Sequence, residues 1–134
     1  MRYPYLEEKG RFSPIIAIRL KGKTEWVTFN AYVDSGATYS IFRAEIAEIL
    51  GIELEKGQRL YVTIGDGSLI TVYLHRLLID VAGKVLDAVI GFSKQLGIGF
   101  NILGRKDIFD NFNIIFNEKE RYLEFSDNWF LYTF

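Results

Sequence analysis

The sequence predicts an all-β domain with two short helices. Three observations carry that prediction. Apolar and polar residues alternate along much of the chain, the period-2 pattern of half-buried strands. Turn signals, Asp66-Gly67 and Ala82-Gly83, separate such runs at hairpin spacing. Eleven Phe and eight Tyr supply the aromatic side chains that pleated surfaces favour. Helical periodicity is confined to residues 43–50 and 106–111.

Residues 1–13 are polar and mixed, with Glu7-Glu8-Lys9-Gly10-Arg11, and read as an arm or an edge strand. Ile15 to Leu20 is a strand, and Lys21-Gly22-Lys23 turns the chain into a partner strand, Trp26 to Val33. Ser40 is placed to cap a helix from Arg43 to Leu50, with Phe42, Ile46, Ile49 and Leu50 on its apolar face and Gly51 as its stop. Leu60 to Leu74 is the clearest hairpin. Leu60, Val62 and Ile64 alternate with Tyr61 and Thr63, Asp66-Gly67 turns, and Ile70, Val72 and Leu74 alternate on the return. A further hairpin runs from Leu77 to Val81 and from Val85 to Ile90. Residues 92–100 form a glycine-rich loop with Leu96, Ile98 and Phe100. The last hairpin pairs Phe112 to Phe116 with Arg121 to Phe125, and an aromatic tail closes the chain at 126–134.

A length of 134 residues suits one domain, 1–134, with a core of useful size. The net charge of −1 leaves no electrostatic footprint for nucleic acid. With no cysteine, disulfide and thiolate chemistry are excluded. A zinc site would have to be built almost from carboxylates, because His75 is the only histidine, so no metal and no cofactor are expected. His75 sits in an alternating strand, where a partly exposed structural histidine is expected. No apolar run approaches a membrane span and the N-terminus has no signal-peptide pattern. A cytoplasmic protein without membrane partners is therefore expected.

The most informative stretch is Val33-Asp34-Ser35-Gly36-Ala37-Thr38. It puts a carboxylate at the end of an apolar strand, in a tight turn. A lone ionised carboxylate is costly to bury, so it must be paired, hydrogen-bonded or exposed in a cleft. Taken alone, Asp-Ser-Gly also reads as an ordinary turn. Downstream, Asn101-Ile102-Leu103-Gly104-Arg105 ends another apolar strand before a short helical pattern.

Together, Asp34-Ser35-Gly36-Ala37 and Ile102-Leu103-Gly104-Arg105 resemble the paired motifs of the retropepsin-like aspartic proteases. The order resembles that family too: strand, signature, flap hairpin, Ile-Leu-Gly, short helix, strand. The resemblance runs from about Pro14 to Phe125, and the helix after the signature is typical of cellular and prokaryotic members. It implies an acid-protease β-barrel with one lobe per chain, and a peptide or protein substrate. The catalytic residues it implies are Asp34, Ser35 and Gly36. Ala37, Ile64, Gly65, Asp66, Gly67, Phe100 and Ile102 would contact substrate, with residues 64–67 as the flap. Arg105 resembles a family arginine that braces the active-site loop, although its usual acidic partner is replaced here by Thr38.

Aspartic-protease chemistry needs two carboxylates, and this chain has a single Asp-Ser-Gly. The second carboxylate is therefore expected from a second copy, in a homodimer with Asp34 at the two-fold axis. Ser35 would then hydrogen-bond across that axis. A catalytically idle dimer that keeps the fold as a peptide-binding or scaffold protein is the alternative.

Overall fold

The computed structural model describes residues 1–97 and 99–127. In chain order its strands are β1 (Arg2–Pro4), β2 (Leu6–Glu8), β3 (Arg11–Ser13), β4 (Ile15–Lys21), β5 (Trp26–Val33), β6 (Ser40–Arg43), β7 (Gln58–Thr63), β8 (Leu69–Val81), β9 (Lys84–Ser93), β10 (Asn101–Leu103), β11 (Asn113–Asn117) and β12 (Tyr122–Ser126). Among these residues an α-helix, α1 (Ala44–Ile49), follows β6, and 3-10 turns occupy Leu54–Lys56 and Phe109–Asn111. The fold is mostly β, as the alternation predicts. The aromatic tail lies outside the described residues beyond Asp127.

Seven strands form the main sheet in the order β4-β5-β10-β6-β9-β8-β7. β4 also pairs with β8, at Arg19↔Asp80 and Leu20↔Ile79, so the sheet curls back on itself. The Arg19 guanidinium pairs with the Asp80 carboxylate across that seam. The period of two along β4 puts Ile16, Ile18 and Leu20 in the core while Ala17 and Arg19 face out. These residues join Val33, Phe42, Ile79, Ile90, Phe92, Leu103 and Ile108 in the main core. A smaller cluster of Ile41, Ile70, Val72, Leu96 and Ile102 lies under the β7–β8 hairpin.

Several elements differ from the sequence expectation. Of the two readings for residues 1–13, an arm or an edge strand, the strand is the one observed. β1 pairs with β12 in a three-stranded sheet, β1-β12-β11, and β2 and β3 form a separate hairpin. Its turn, Lys9-Gly10, has both residues at positive φ, the twist a tight hairpin requires. β8 is one continuous strand of 13 residues shared by two hairpins, pairing with β7 along its first half and β9 along its second. Ser40 does not cap α1; it lies inside β6, fully buried, and Arg43 precedes the helix. Phe42 accordingly sits in the strand, and Ile49 on the predicted apolar face is 61% exposed. The second helix expected over 106–111 shortens to a 3-10 turn at Phe109–Asn111. Among the described residues, no helix is long and apolar enough to cross a membrane.

Candidate active site

β5 delivers Asp34 because its inward residues, Ala31 and Val33, are locked in the core. β10 runs parallel to β5, with Leu103 beside Val33, and the Asp34 N–H donates to the Leu103 carbonyl at 3.0 Å. On the other side the Val33 N–H donates to the Pro14 carbonyl at 2.9 Å. The backbone entering the loop is thus held from both flanks. In the turn itself, the Gly36 N–H donates to Asp34 Oδ1 at 2.9 Å and the Ala37 N–H to the Asp34 carbonyl at 3.2 Å. An aspartate bonded to its own chain two residues on is an Asx-type turn, which fixes the carboxylate's orientation. Oδ2 has no protein hydrogen-bond partner among the described residues.

The second motif interlocks with the first. β10 lies between β5 and β6, so the loop joining those two strands arches over its end. The Arg105 N–H donates to the Ala37 carbonyl at 2.9 Å and the Lys106 N–H to the Thr38 carbonyl at 2.8 Å. The Gly104 N–H donates to Ser40 Oγ at 3.0 Å. Gly104 approaches so closely that a Cβ there would sit 2.3 Å from the Tyr39 carbonyl oxygen. The contacts seen between Arg105, Lys106 and this loop are made by their backbone amides, which depend on neither the Arg105 nor the Thr38 side chain.

Asp34 opens into a cleft of about 500 Å³ beneath the β7–β8 hairpin. The predicted residues Gly36, Ala37, Ile64, Gly65 and Ile102 line it together with Asp34. Ser35 is exposed beside it, and Asp66 and Gly67 lie at the hairpin tip outside the lining. Phe100 lies elsewhere, stacked on Tyr32 at 4.8 Å between ring centroids with 18° between planes. It faces a larger hollow of about 850 Å³, lined also by Leu6, Ile15 and Ile46. That hollow contains no part of the Asp34 loop, so its size does not make it the site. The cleft is lined as well by Thr38, Tyr39, Ile41, Tyr61, Val62 and Thr63, none of which the sequence motifs assign. The first three directly continue the signature. The last three form the arm of a hairpin whose tip alone the resemblance assigns. A signature that opens into a cleft, and a hairpin lying over it, present their flanks as well as their centres.

At the hairpin tip the Gly67 N–H donates to the Ile64 carbonyl at 2.8 Å and the Ile64 N–H to the Ser68 carbonyl at 3.0 Å. Ser68 donates from its hydroxyl and its backbone N–H to Asp66 Oδ1, and these bonds hold the Asp66 carboxyl below the usual carboxylate range. Asp66 is therefore a turn-former whose charge is committed to its own tip. Only Gly67 needs to be glycine for its backbone, with φ +86°, whereas Gly65 is not in the left-handed region. No atom beyond its chain neighbours would crowd a Cβ at Gly67, so a substitution there strains the backbone alone. Gly67→Val is expected to cost about 1–2 kcal/mol in the tip. If the hairpin closes over substrate, turnover falls several-fold, more than the drop of a few degrees in melting temperature accounts for. Parallel peptide-cleavage and thermal-unfolding curves check this, and an unchanged rate assigns the tip a purely structural role.

Among the described residues no group of three or more His, Cys, Asp or Glu side chains could hold a metal ion. His75 is tied up elsewhere: its Nε2 donates to the Leu54 carbonyl at 2.8 Å, and its ring meets Phe92 edge-on. Among the described residues the carboxylate that lines the cleft is that of Asp34, set among Ala37, Ile41, Val62, Ile64 and Ile102.

No protein-family model and no curated protein sequence matches the chain. Solved structures do. A retropepsin-like aspartic protease from Rickettsia conorii superposes with a TM-score of 0.68 at 17% identity, covering 93% of this chain and 90% of that one. EIAV protease, in complex with the inhibitor HBY-793, superposes with a TM-score of 0.53 at 18% identity, covering 75% of this chain and 88% of that one. Identity this low speaks for shared architecture and leaves the chemistry to be argued from the site. The chain has the retropepsin-like fold.

Proposed function

We propose that this chain is an aspartic endopeptidase that works as a homodimer, one lobe per chain, with the catalytic dyad formed by Asp34 and its symmetry mate. The observation that carries the reading is the Asp34 carboxylate, oriented by the Gly36 N–H and opening into an apolar cleft under a hairpin. The fold it shares with two proteases supports the same reading.

The chemistry follows from putting two such carboxylates together. At about 3 Å they cannot both ionise, so they share one proton. The ionised member takes a proton from a water, which attacks the scissile carbonyl carbon. The protonated member donates to the carbonyl oxygen, giving a tetrahedral diol. The carboxyl that is now protonated gives its proton to the leaving nitrogen while the other carboxylate takes one from a diol hydroxyl, so the C–N bond breaks, the product C=O forms, and the dyad again holds one proton. In this scheme the Gly36 N–H fixes one oxygen, Oδ1, and leaves Oδ2 for water and substrate. Ile102, Ile41 and Ile64 hold apolar side chains of the peptide and exclude bulk water. Ser35, exposed at the turn, is available to bond across the axis.

Because the dyad needs two chains, activity and assembly should rise together. Sedimentation is expected to give a dimer, with an interface of about 1,600 Å² or more. A pepstatin-type transition-state mimic is expected to bind that dimer, since a working dyad is complementary to the tetrahedral state. A monomer at high concentration, unable to bind the mimic or cleave peptide, overturns the reading. A dimer that binds peptide but neither the mimic nor cleaves would instead be the idle scaffold.

A further inference from the structure

The root of the β7–β8 hairpin is held by side chains where strand pairing stops. β8 pairs with β7 from Leu69 to Leu74. Its other edge joins β9 only from Tyr73, opposite Phe92, onward. Thr71 is the next residue towards the tip whose backbone groups face that open edge. Both groups are satisfied by the segment that leaves β9. The Thr71 N–H donates to Gln95 Oε1 at 2.6 Å, and Ser93 Oγ donates to the Thr71 carbonyl at 2.7 Å. The Gln95 N–H donates back to Ser93 Oγ at 3.0 Å, closing the set. Two side chains therefore continue a ladder that the β9 backbone has abandoned. Beyond Thr71, Leu69 is 62% exposed and has no such side-chain tether among the described residues.

We propose that Gln95, with Ser93, is a positioning clamp that sets where the hairpin leaves the body of the protein and so how it stands over Asp34. The inference rests on the reading of the cleft as a peptidase site only for its effect on turnover. The clamp has a direct link to the cleft wall. Leu96, next to Gln95, is buried with Ile70, Val72 and Ile102, the last of which lines the cleft. One short segment thus grips the hairpin root by hydrogen bonds and the cleft wall by packing. Gln95 is itself exposed, so its side chain contributes little to the core and can be changed without a cavity.

Gln95→Leu removes the acceptor, whereas Gln95→Glu keeps an oxygen at the same reach. Amide hydrogen exchange at Thr71 is expected to be about fivefold faster in Gln95→Leu, the factor of one lost net hydrogen bond. It should return towards the wild-type rate in Gln95→Glu, with the melting temperature of Gln95→Leu lower by no more than a few degrees. On a peptide substrate Gln95→Leu is expected to raise KM several-fold with a smaller change in kcat, because the hairpin is misplaced and the carboxylate is untouched. A staple with no positioning role would leave KM unchanged, which overturns the positioning half of the proposal. Equal Thr71 exchange in wild type and Gln95→Leu overturns the proposal, as does a Gln95→Glu protein that exchanges as fast as Gln95→Leu. If the wild-type protein cleaves no peptide, the peptidase reading fails by itself, and the exchange rates still decide whether the clamp exists.

Discussion

Replacing Asp34 by Asn is expected to abolish peptide cleavage while leaving a folded dimer. The amide keeps an oxygen that can accept the Gly36 N–H, so the 2.9 Å bond that shapes the turn is retained. What is lost is the ionisable group, and lost twice, because one gene supplies both halves of the proposed dyad. No carboxylate then remains to take the proton from water, and none to donate it to the carbonyl oxygen. Positioned acid–base groups contribute about 10²–10⁴-fold each and two are lost, so the rate should fall by at least about 10⁴-fold. Initial rates at high enzyme concentration measure the loss, and sedimentation with circular dichroism checks that dimer and fold persist. In the wild type the same dyad should give a bell-shaped dependence of rate on pH, because doubly protonated and doubly ionised pairs are both inactive. The Asp34→Asn variant should have no such bell. Full activity in that variant would move the chemistry away from Asp34 altogether.

The parts of this fold that are legible in the sequence are those in which the information is local. The β7–β8 and β8–β9 hairpins announce themselves through alternation and through Asp66-Gly67 and Ala82-Gly83. The last of these turns is observed with both residues at positive φ. Ser40 misleads because a serine just ahead of an apolar helical pattern looks like a cap. Its real partner is the amide of Gly104, 64 residues away, and nothing near Ser40 in sequence reports that contact. The bracing of the Asp34 loop is hidden for a related reason. It is made by the backbone amides of Arg105 and Lys106, which every residue but proline carries, so side-chain identity is silent about it. Residues 1–13 leave an arm and an edge strand equally open because three-residue strands are too short to show a period. In the site, Asp34 and Ile102 are found through their motifs. Tyr39 and Tyr61 reach the same cleft through tertiary packing that no motif encodes.

Gly104 is the position at which the fold and the site can be broken together. Its Cα passes the turn of the other motif so closely that a Cβ would lie 2.3 Å from the Tyr39 carbonyl oxygen, 2.5 Å from the Tyr39 carbonyl carbon and 2.9 Å from the Ala37 carbonyl oxygen. All three are backbone atoms, so no side-chain rotation relieves the clash. One response is for the 37–39 backbone to move away, which breaks the bonds from Arg105 and Lys106 to the Ala37 and Thr38 carbonyls. The other is for β10 to withdraw, which breaks the Gly104 bond to the fully buried Ser40 hydroxyl and leaves that group unsatisfied. Overpacking alone costs about 1–3 kcal/mol, and a lost buried hydrogen bond adds about 1–3 kcal/mol more. Gly104→Ala is therefore expected to destabilise the protein by about 3 kcal/mol or more, even though it adds a single methyl group. Urea unfolding measures this as a lower midpoint at an unchanged slope. Activity should fall further than stability alone accounts for, because the atoms displaced are those that hold Asp34 in place. The companion variant Ser40→Ala separates the two effects. It removes the hydroxyl acceptor without intruding on the backbone, so it should cost stability through the Gly104 amide alone and retain more activity than Gly104→Ala. If Gly104→Ala unfolds at the wild-type urea concentration, the close approach of the two motifs is not a constraint on the fold, and their interlock does not hold the Asp34 loop.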